Sequence, residues 1–173
     1  MNTGNHPVSL LAALSSADDP AQLRRAFGCF PSGVAAVCAD IDPQPTGILV
    51  SSLTSVSLAP PLLSICIQHG SRTWGSLRTA DHLGISILGD THEALCRQFS
   101  APAPDRLAGV EFARTARGAV LLPEATAWFV CSPYDELPAG DHTIVLLRIE
   151  KLLVQPAFTP LIFHGSRFHR LTA

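Results

Sequence analysis

The chain has 173 residues, 47% of them hydrophobic and only 15% charged, with a formal net charge of -2. That length fits one folded domain able to bury roughly two-thirds of its unfolded surface, and the composition excludes bulk disorder. Arginines are scattered and no apolar run approaches the ~20 residues of a membrane span, so neither nucleic acid nor membrane is an expected partner. A surface so short of charge favours self-association, and a homodimer is the expected form.

Residues 1–17 lack periodicity and read as a disordered or loosely attached tail ahead of a single domain over 18–173. The stretch from Val8 to Leu14 has some character of a signal core. However, no cationic side chain precedes it, and the first arginine is Arg24. Five cysteines occur, at Cys29, Cys38, Cys66, Cys96 and Cys131, without a CxxC pair. Most sit in apolar runs, which predicts buried free thiols in a reducing cytoplasm and no metal.

A first helix is expected from Asp19 as N-cap with Pro20 behind it, carrying an apolar stripe of Leu23, Ala26, Phe27 and Phe30. Pro31 and Gly33 stop it. Strands follow at Val34–Ala39, Gly47–Ser52 and Leu62–Gln68, the first two separated by a turn at Asp40–Pro45. Ser71 caps a short helix reaching Ala80, Leu83–Leu88 is a strand, and Asp90 caps a helix with Ala94, Leu95 and Phe99 on one side. After the Pro-rich loop Ala101–Pro104 the chain is mostly β: Val110–Thr115, Ala125–Tyr134, His142–Val154, Leu161–His164 and Arg167–Leu171. Short strands without regular helix alternation predict a mainly β fold, an antiparallel barrel with two or three peripheral helices.

Several chemistries lack their signatures. The sequence contains no G-x-G-x-x-G, no P-loop, no G-x-S-x-G elbow and no S-x-x-K. His164 and His169 would face opposite sides of one extended strand, which argues against a metal pair.

The segment from Thr46 to Ser57 carries most information. Small hydroxyl residues at a strand junction can aim several donors at one point, a chemistry that suits a phosphate. Alone, the segment reads better as a Ser/Thr-rich turn between strands. Other motifs surround it in order. Phe30-Pro31-Ser32-Gly33-Val34 precedes it, and Ser71-Arg72-Thr73, Phe99-Ser100, Gly140-Asp141-His142 and Gly165-Ser166-Arg167-Phe168 follow.

This ordered set, from about Arg24 to Leu171, resembles the flavin reductase-like family, the small reductase components of two-component flavin monooxygenases. The resemblance implies a split β-barrel FMN-binding fold, a homodimer, and hydride transfer from NADH or NADPH to FMN or FAD. Reduced flavin would then pass to a partner monooxygenase. Carried over by position, Leu49, Val50, Ser51, Ser52 and Leu53 would line the flavin ring and ribityl chain. Ser51, Ser52, Ser55 and Val56 would contribute near the ribityl or phosphate, with Ser71 and Arg72 closing over it. Phe99 and Ser100 would lie beside the flavin. Asp141 and His142 would bind the nicotinamide, and Phe168 would stack on it or complete the core. Hydride transfer needs no protein acid, so no catalytic side chain is assigned.

Two departures from the family pattern matter. Leu49 replaces a usual Thr beside the reactive edge of the flavin, which opens the alternative of a protein that holds flavin tightly without reducing free flavin. Leu53 stands where Phe is common. His92, in place of a usual Gln, reads as surface variation.

Overall fold

The computed structural model describes residues 10–42, 44–100 and 106–171, with Leu10, Leu11 and Ser100 as backbone only. Residues 1–9 of the expected tail and the loop Ala101–Pro104 lie outside the described residues. A four-residue turn of helix, α1 (Leu10–Ala13), stands where no element was expected.

Helix α2 (Pro20–Gly28) starts as its sequence dictates, with the Asp19 side chain accepting the Ala21 N–H. Its expected apolar stripe is not covered, because no residue of the helix is buried and Phe27 and Phe30 are 72% and 78% exposed. The other helices are α3 (Arg72–Leu77), capped by Ser71 as expected, and α4 (Glu93–Ser100). A 3₁₀ turn, Asp90–His92, leads into α4, so Asp90 lies inside the turn and Gly89 is the cap.

The strands are β1 (Ser32–Gly33), β2 (Ala35–Ile41), β3 (Gln44–Val50), β4 (Thr54–Leu58), β5 (Pro61–Gln68), β6 (Leu83–Ile87), β7 (Ala113–Arg114), β8 (Val120–Leu121), β9 (Ala127–Ala139), β10 (His142–Val154), β11 (Leu161–His164) and β12 (Arg167–Arg170). Seven of them form one antiparallel sheet in the order β3-β2-β6-β9-β10-β5-β4. Strand β4 was missed by the sequence reading. It is an edge strand whose residues are mostly exposed, so it shows no apolar alternation.

One topological fact fixes the shape. β3 and β4 occupy opposite edges of this sheet, yet only Ser51–Leu53 separate them in the chain. Four residue steps span at most ~14 Å, so the sheet must curl until its two edges nearly meet. It becomes a barrel left open along one seam.

The barrel interior is one core, built from Val37, Val50, Leu63, Ile65, Leu77, Leu83, Ile85, Val145 and Leu147 among others. A second core, with Cys38, Leu88, Cys96, Phe99, Val120, Leu122 and Leu161, lies on the other face of β2. Strand β2 is therefore buried on both sides, which explains its unbroken apolar run. Alternate residues Ala35, Val37 and Ala39 enter one core, and Ala36 and Cys38 the other.

Two readings of histidines need correction. His92 is buried, accepting the Gly89 N–H at 3.1 Å through Nδ1 and bridging to the Pro123 carbonyl at 2.9 Å through Nε2. It ties the 3₁₀ turn to the β8–β9 connection and is not surface variation. His164 and His169 do not lie on opposite faces. The chain reverses at Gly165-Ser166, and their rings come to 5.8 Å on paired strands.

Candidate functional site

The seam opens into a cavity of about 560 Å³. The end of β3 and the crossing segment supply Ile48, Leu49, Val50, Ser51 and Ser52. The end of β5 and the turn after it supply Cys66, Ile67, Gln68, His69, Gly70 and Ser71, and the first residue of β10 supplies His142. Three segments remote in sequence thus meet where the barrel fails to close.

Local chemistry holds each wall. The Ser52 hydroxyl accepts the Cys66 N–H at 2.9 Å and donates to the Cys66 carbonyl at 3.3 Å. A side chain thereby substitutes for strand pairing across the seam. On β5, period-2 alternation sends Ile65 and Ile67 into the barrel and leaves Cys66 and Gln68 exposed toward the cavity. Gly70 has φ +79°, a left-handed conformation that lets the chain reverse sharply into α3. That helix is anchored from below, with Trp74 and Leu77 buried in the barrel core. The Trp74 indole and Arg78 guanidinium both donate to Glu136 of β9, at 3.3 and 3.0 Å.

At the opposite wall, β9 and β10 are joined by a two-residue turn, Gly140-Asp141, with Gly140 at φ +65°. This is the position at which a type II′ hairpin turn needs glycine. The turn sets His142 at the cavity edge and Asp141 beside it, and His142 Nδ1 donates to Asp141 Oδ1 at 2.7 Å. That hydrogen bond, helped by the neighbouring charge, holds the Asp141 carboxyl below the usual carboxylate range. With Nδ1 engaged, Nε2 is the ring atom left for a ligand.

The cavity thus gathers Leu49, Val50, Ser51, Ser52, Ser71 and His142 from the sequence-derived set. Other members of that set lie elsewhere. Leu53 packs against the barrel core, while Ser55 and Val56 are exposed on β4, Val56 at a bulge in the pairing with β5. Arg72 is exposed on the first turn of α3, next to the cavity but not lining it. Phe99 is only 3% exposed and belongs to the second core, where its ring lies over Gly47 of β3. Ser100 ends α4, and its side chain is outside what is described. Phe168 packs against the second core, 5.4 Å from Phe163, and does not line the cavity. Cys66, Gln68 and His69 were not singled out from sequence. The alternation of β5 is the signal that could have found the first two.

A second cavity of similar size, about 580 Å³, lies at the far end of the β9–β10 hairpin, between Trp128, Leu153 and the β7–β8 region. Its walls are almost wholly apolar.

The seam cavity, its hydroxyl-lined crossing segment and the Gly-Asp-His turn coincide with a match to the flavin reductase like domain over residues 27–172. The chain belongs to the flavin reductase-like family. Among its relatives, a stachydrine N-demethylase reductase subunit from Rhizobium meliloti (strain 1021) is 39% identical over 133 residues, covering 76% of this chain and 57% of that protein. A second protein from the same organism, a probable flavin reductase, is likewise 39% identical, and only 42% of its length is covered. This flavin reductase-like chain therefore spans about half the length of these first two relatives. A flavin reductase from Pseudomonas putida is 32% identical, with 88% of this chain and 91% of that protein covered. In structure, the NADH:FAD oxidoreductase of Streptomyces globisporus C-1027, solved with NAD and FAD fragments, superposes with TM-score 0.85 at 33% identity. The match covers 92% of this chain and 96% of that one. The fold is the mainly β split barrel of these reductases.

Proposed function

We propose that the protein is an NAD(P)H-dependent flavin reductase. It transfers hydride from NADH or NADPH to FMN or FAD and supplies the reduced flavin to a partner monooxygenase. The carrying observation is the seam cavity, where apolar β3 residues, serine hydroxyls and the Asp141–His142 pair converge. Its volume falls within the roughly 300–1,000 Å³ of small-molecule sites. Relatives named as reductase components or subunits of flavin-dependent monooxygenases support the partner assignment.

The residues present fit a flavin. Ile48, Leu49 and Val50 offer an apolar wall for a flat ring system, and Leu53 supports that wall from the barrel core. Ser51 and Ser71 offer hydroxyls toward the ribityl chain and phosphate. Ser52 shapes the floor through its bonds to Cys66. Ser55, Val56, Arg72, Phe99 and Ser100 keep their proposed places near the flavin, Arg72 as a charge able to swing over the phosphate and Phe99 from behind β3. Asp141 orients the His142 ring so that Nε2 addresses the nicotinamide nucleotide, and Phe168 borders that side from the second core.

The bound flavin supplies the hydride-accepting ring, and the protein's work is to stack the two rings, exclude water and hold the phosphates. No side chain needs to move a proton in that step. The exposed faces of α2 and β4 and the low surface charge support a homodimer, and five cysteines, none in a disulfide, suit a reducing cytoplasm. The test is to mix purified protein with each nicotinamide and each flavin and follow loss of nicotinamide absorbance. Turnover with at least one pairing is expected, and no turnover with any pairing would overturn the reading.

A further inference from the structure

His69 follows the last residue of β5, at the point where the chain turns toward α3. Its backbone N–H donates to the Asp141 carbonyl at 2.9 Å, which fixes it against the β9–β10 turn. It lines the seam cavity together with Ser71 and His142. His142 hydrogen-bonds Asp141, and both imidazoles contribute to keeping that carboxyl ionised. Among the described residues the ring nitrogens of His69 have no hydrogen-bond or ion-pair partner.

The cavity lining combines two chemistries. Ile48, Leu49 and Val50 supply apolar surface. His69, Ser71 and the Nε2 of His142 supply three side-chain donors, and the Asp141 carboxylate beside them already accepts from His142. Arg72, exposed on α3, adds positive charge nearby. Such an arrangement suits a ligand with a flat apolar ring and an anionic tail, whose oxygens are strong acceptors of charge-assisted hydrogen bonds.

We propose that His69 is a phosphate ligand in this cavity, donating from its ring beside Ser71 and His142. The proposal rests on the flavin reductase reading and adds to it one residue, His69, that the reading does not use. Phosphate reaches this site from two sources, the flavin or the pyrophosphate of the nicotinamide nucleotide, and the experiment separates them.

The test compares wild type with His69→Ala and His69→Arg, each checked for an unchanged melting transition. Dissociation constants are measured for FMN and for riboflavin, which has the same ring without phosphate. The Michaelis constant for NADH is measured with riboflavin as acceptor. If the flavin supplies the phosphate, His69→Ala weakens FMN about tenfold and leaves riboflavin within about twofold, and His69→Arg restores FMN. If the nicotinamide supplies it, FMN binding is unchanged, the Michaelis constant for NADH rises about tenfold at constant kcat, and His69→Arg restores it. Equal weakening of FMN and riboflavin, or no change in any of the three quantities, overturns the proposal. A wild-type protein that binds neither flavin overturns the flavin reading itself.

Discussion

Two cavities that border β10 have nearly the same volume and opposite chemistry. The seam cavity, about 560 Å³, brings serines, two histidines and a glutamine to one place, whereas the far cavity, about 580 Å³, offers mainly Leu, Phe and Trp walls. Both border β10, at residues His142 and Lys151, nine positions or ~30 Å apart along the strand. In the far cavity the polar groups are largely engaged with the protein itself. The Trp128 indole donates to the Leu122 carbonyl at 2.6 Å, and the Thr115 hydroxyl accepts the Ala119 N–H at 3.0 Å. In the seam cavity Ser52 is tied to Cys66, Ser71 to the Trp74 N–H and His142 Nδ1 to Asp141, yet the lining as a whole is far more polar. Polar lining, and not size, separates the candidate site from the far cavity.

The contrast can be broken most severely at Ser52. Ser52→Asp places a negative charge where a phosphate is expected and removes the donor to the Cys66 carbonyl. Flavin affinity, read by fluorescence titration, should fall about 100-fold or more, on the order of 2.7 kcal/mol. The far cavity has its own weak point. A Cβ at Gly84 would lie 2.0 Å from the Val120 carbonyl oxygen, a backbone atom that cannot move aside. Gly84→Ala should lift β8 and cost about 3 kcal/mol, lowering Tm by on the order of 10 °C. Flavin affinity below that transition should hold.

Within the seam cavity, His142→Ala should raise the Michaelis constant for NADH about tenfold while leaving flavin affinity nearly unchanged. Equal loss of both would remove the nicotinamide role given to His142. A thiol titration separates the regions again. Cys29 and Cys66 are exposed, while burial pushes the thiols of Cys38, Cys96 and Cys131 up to about 12. Two thiols should react quickly in the folded protein, and saturating flavin should protect Cys66 alone. Because the buried thiols ionise more easily once unfolded, their contribution is intact below pH 9 and declines as pH rises from about 9 toward about 12. Tm should fall across that alkaline window. The smallest effect is expected from Leu153→Glu in the far cavity, which should leave flavin affinity within about twofold.

Much of the chemistry was legible from residues alone. Asp19-Pro20 and Ser71 announced helix starts because capping is a local matter of one side chain and one or two backbone amides. Gly140-Asp141 announced a turn because a left-handed residue favours glycine there. Other features were illegible for equally physical reasons. The apolar stripe of α2 implied burial, yet its own chain does not cover Phe27 or Phe30. The position of His92 gave no sign that its two ring nitrogens would bridge Gly89 and Pro123, the latter 31 residues from His92 in sequence. Phe99, half of the Phe99-Ser100 motif, is a core side chain filling the space that Gly47 leaves.

The hydroxyl-rich run from Thr46 to Ser57 shows where the division falls. Its composition determined that donors would cluster at a strand junction, and the order of motifs around it determined the family. Only the tertiary structure decided that this junction crosses the open seam of a barrel. The cause is long-range pairing: β3 and β4 are neighbours in the chain but close opposite edges of a seven-stranded sheet. That closure carries Ser52 to Cys66, and brings His69, Ser71 and His142 around one space that no local pattern could have announced.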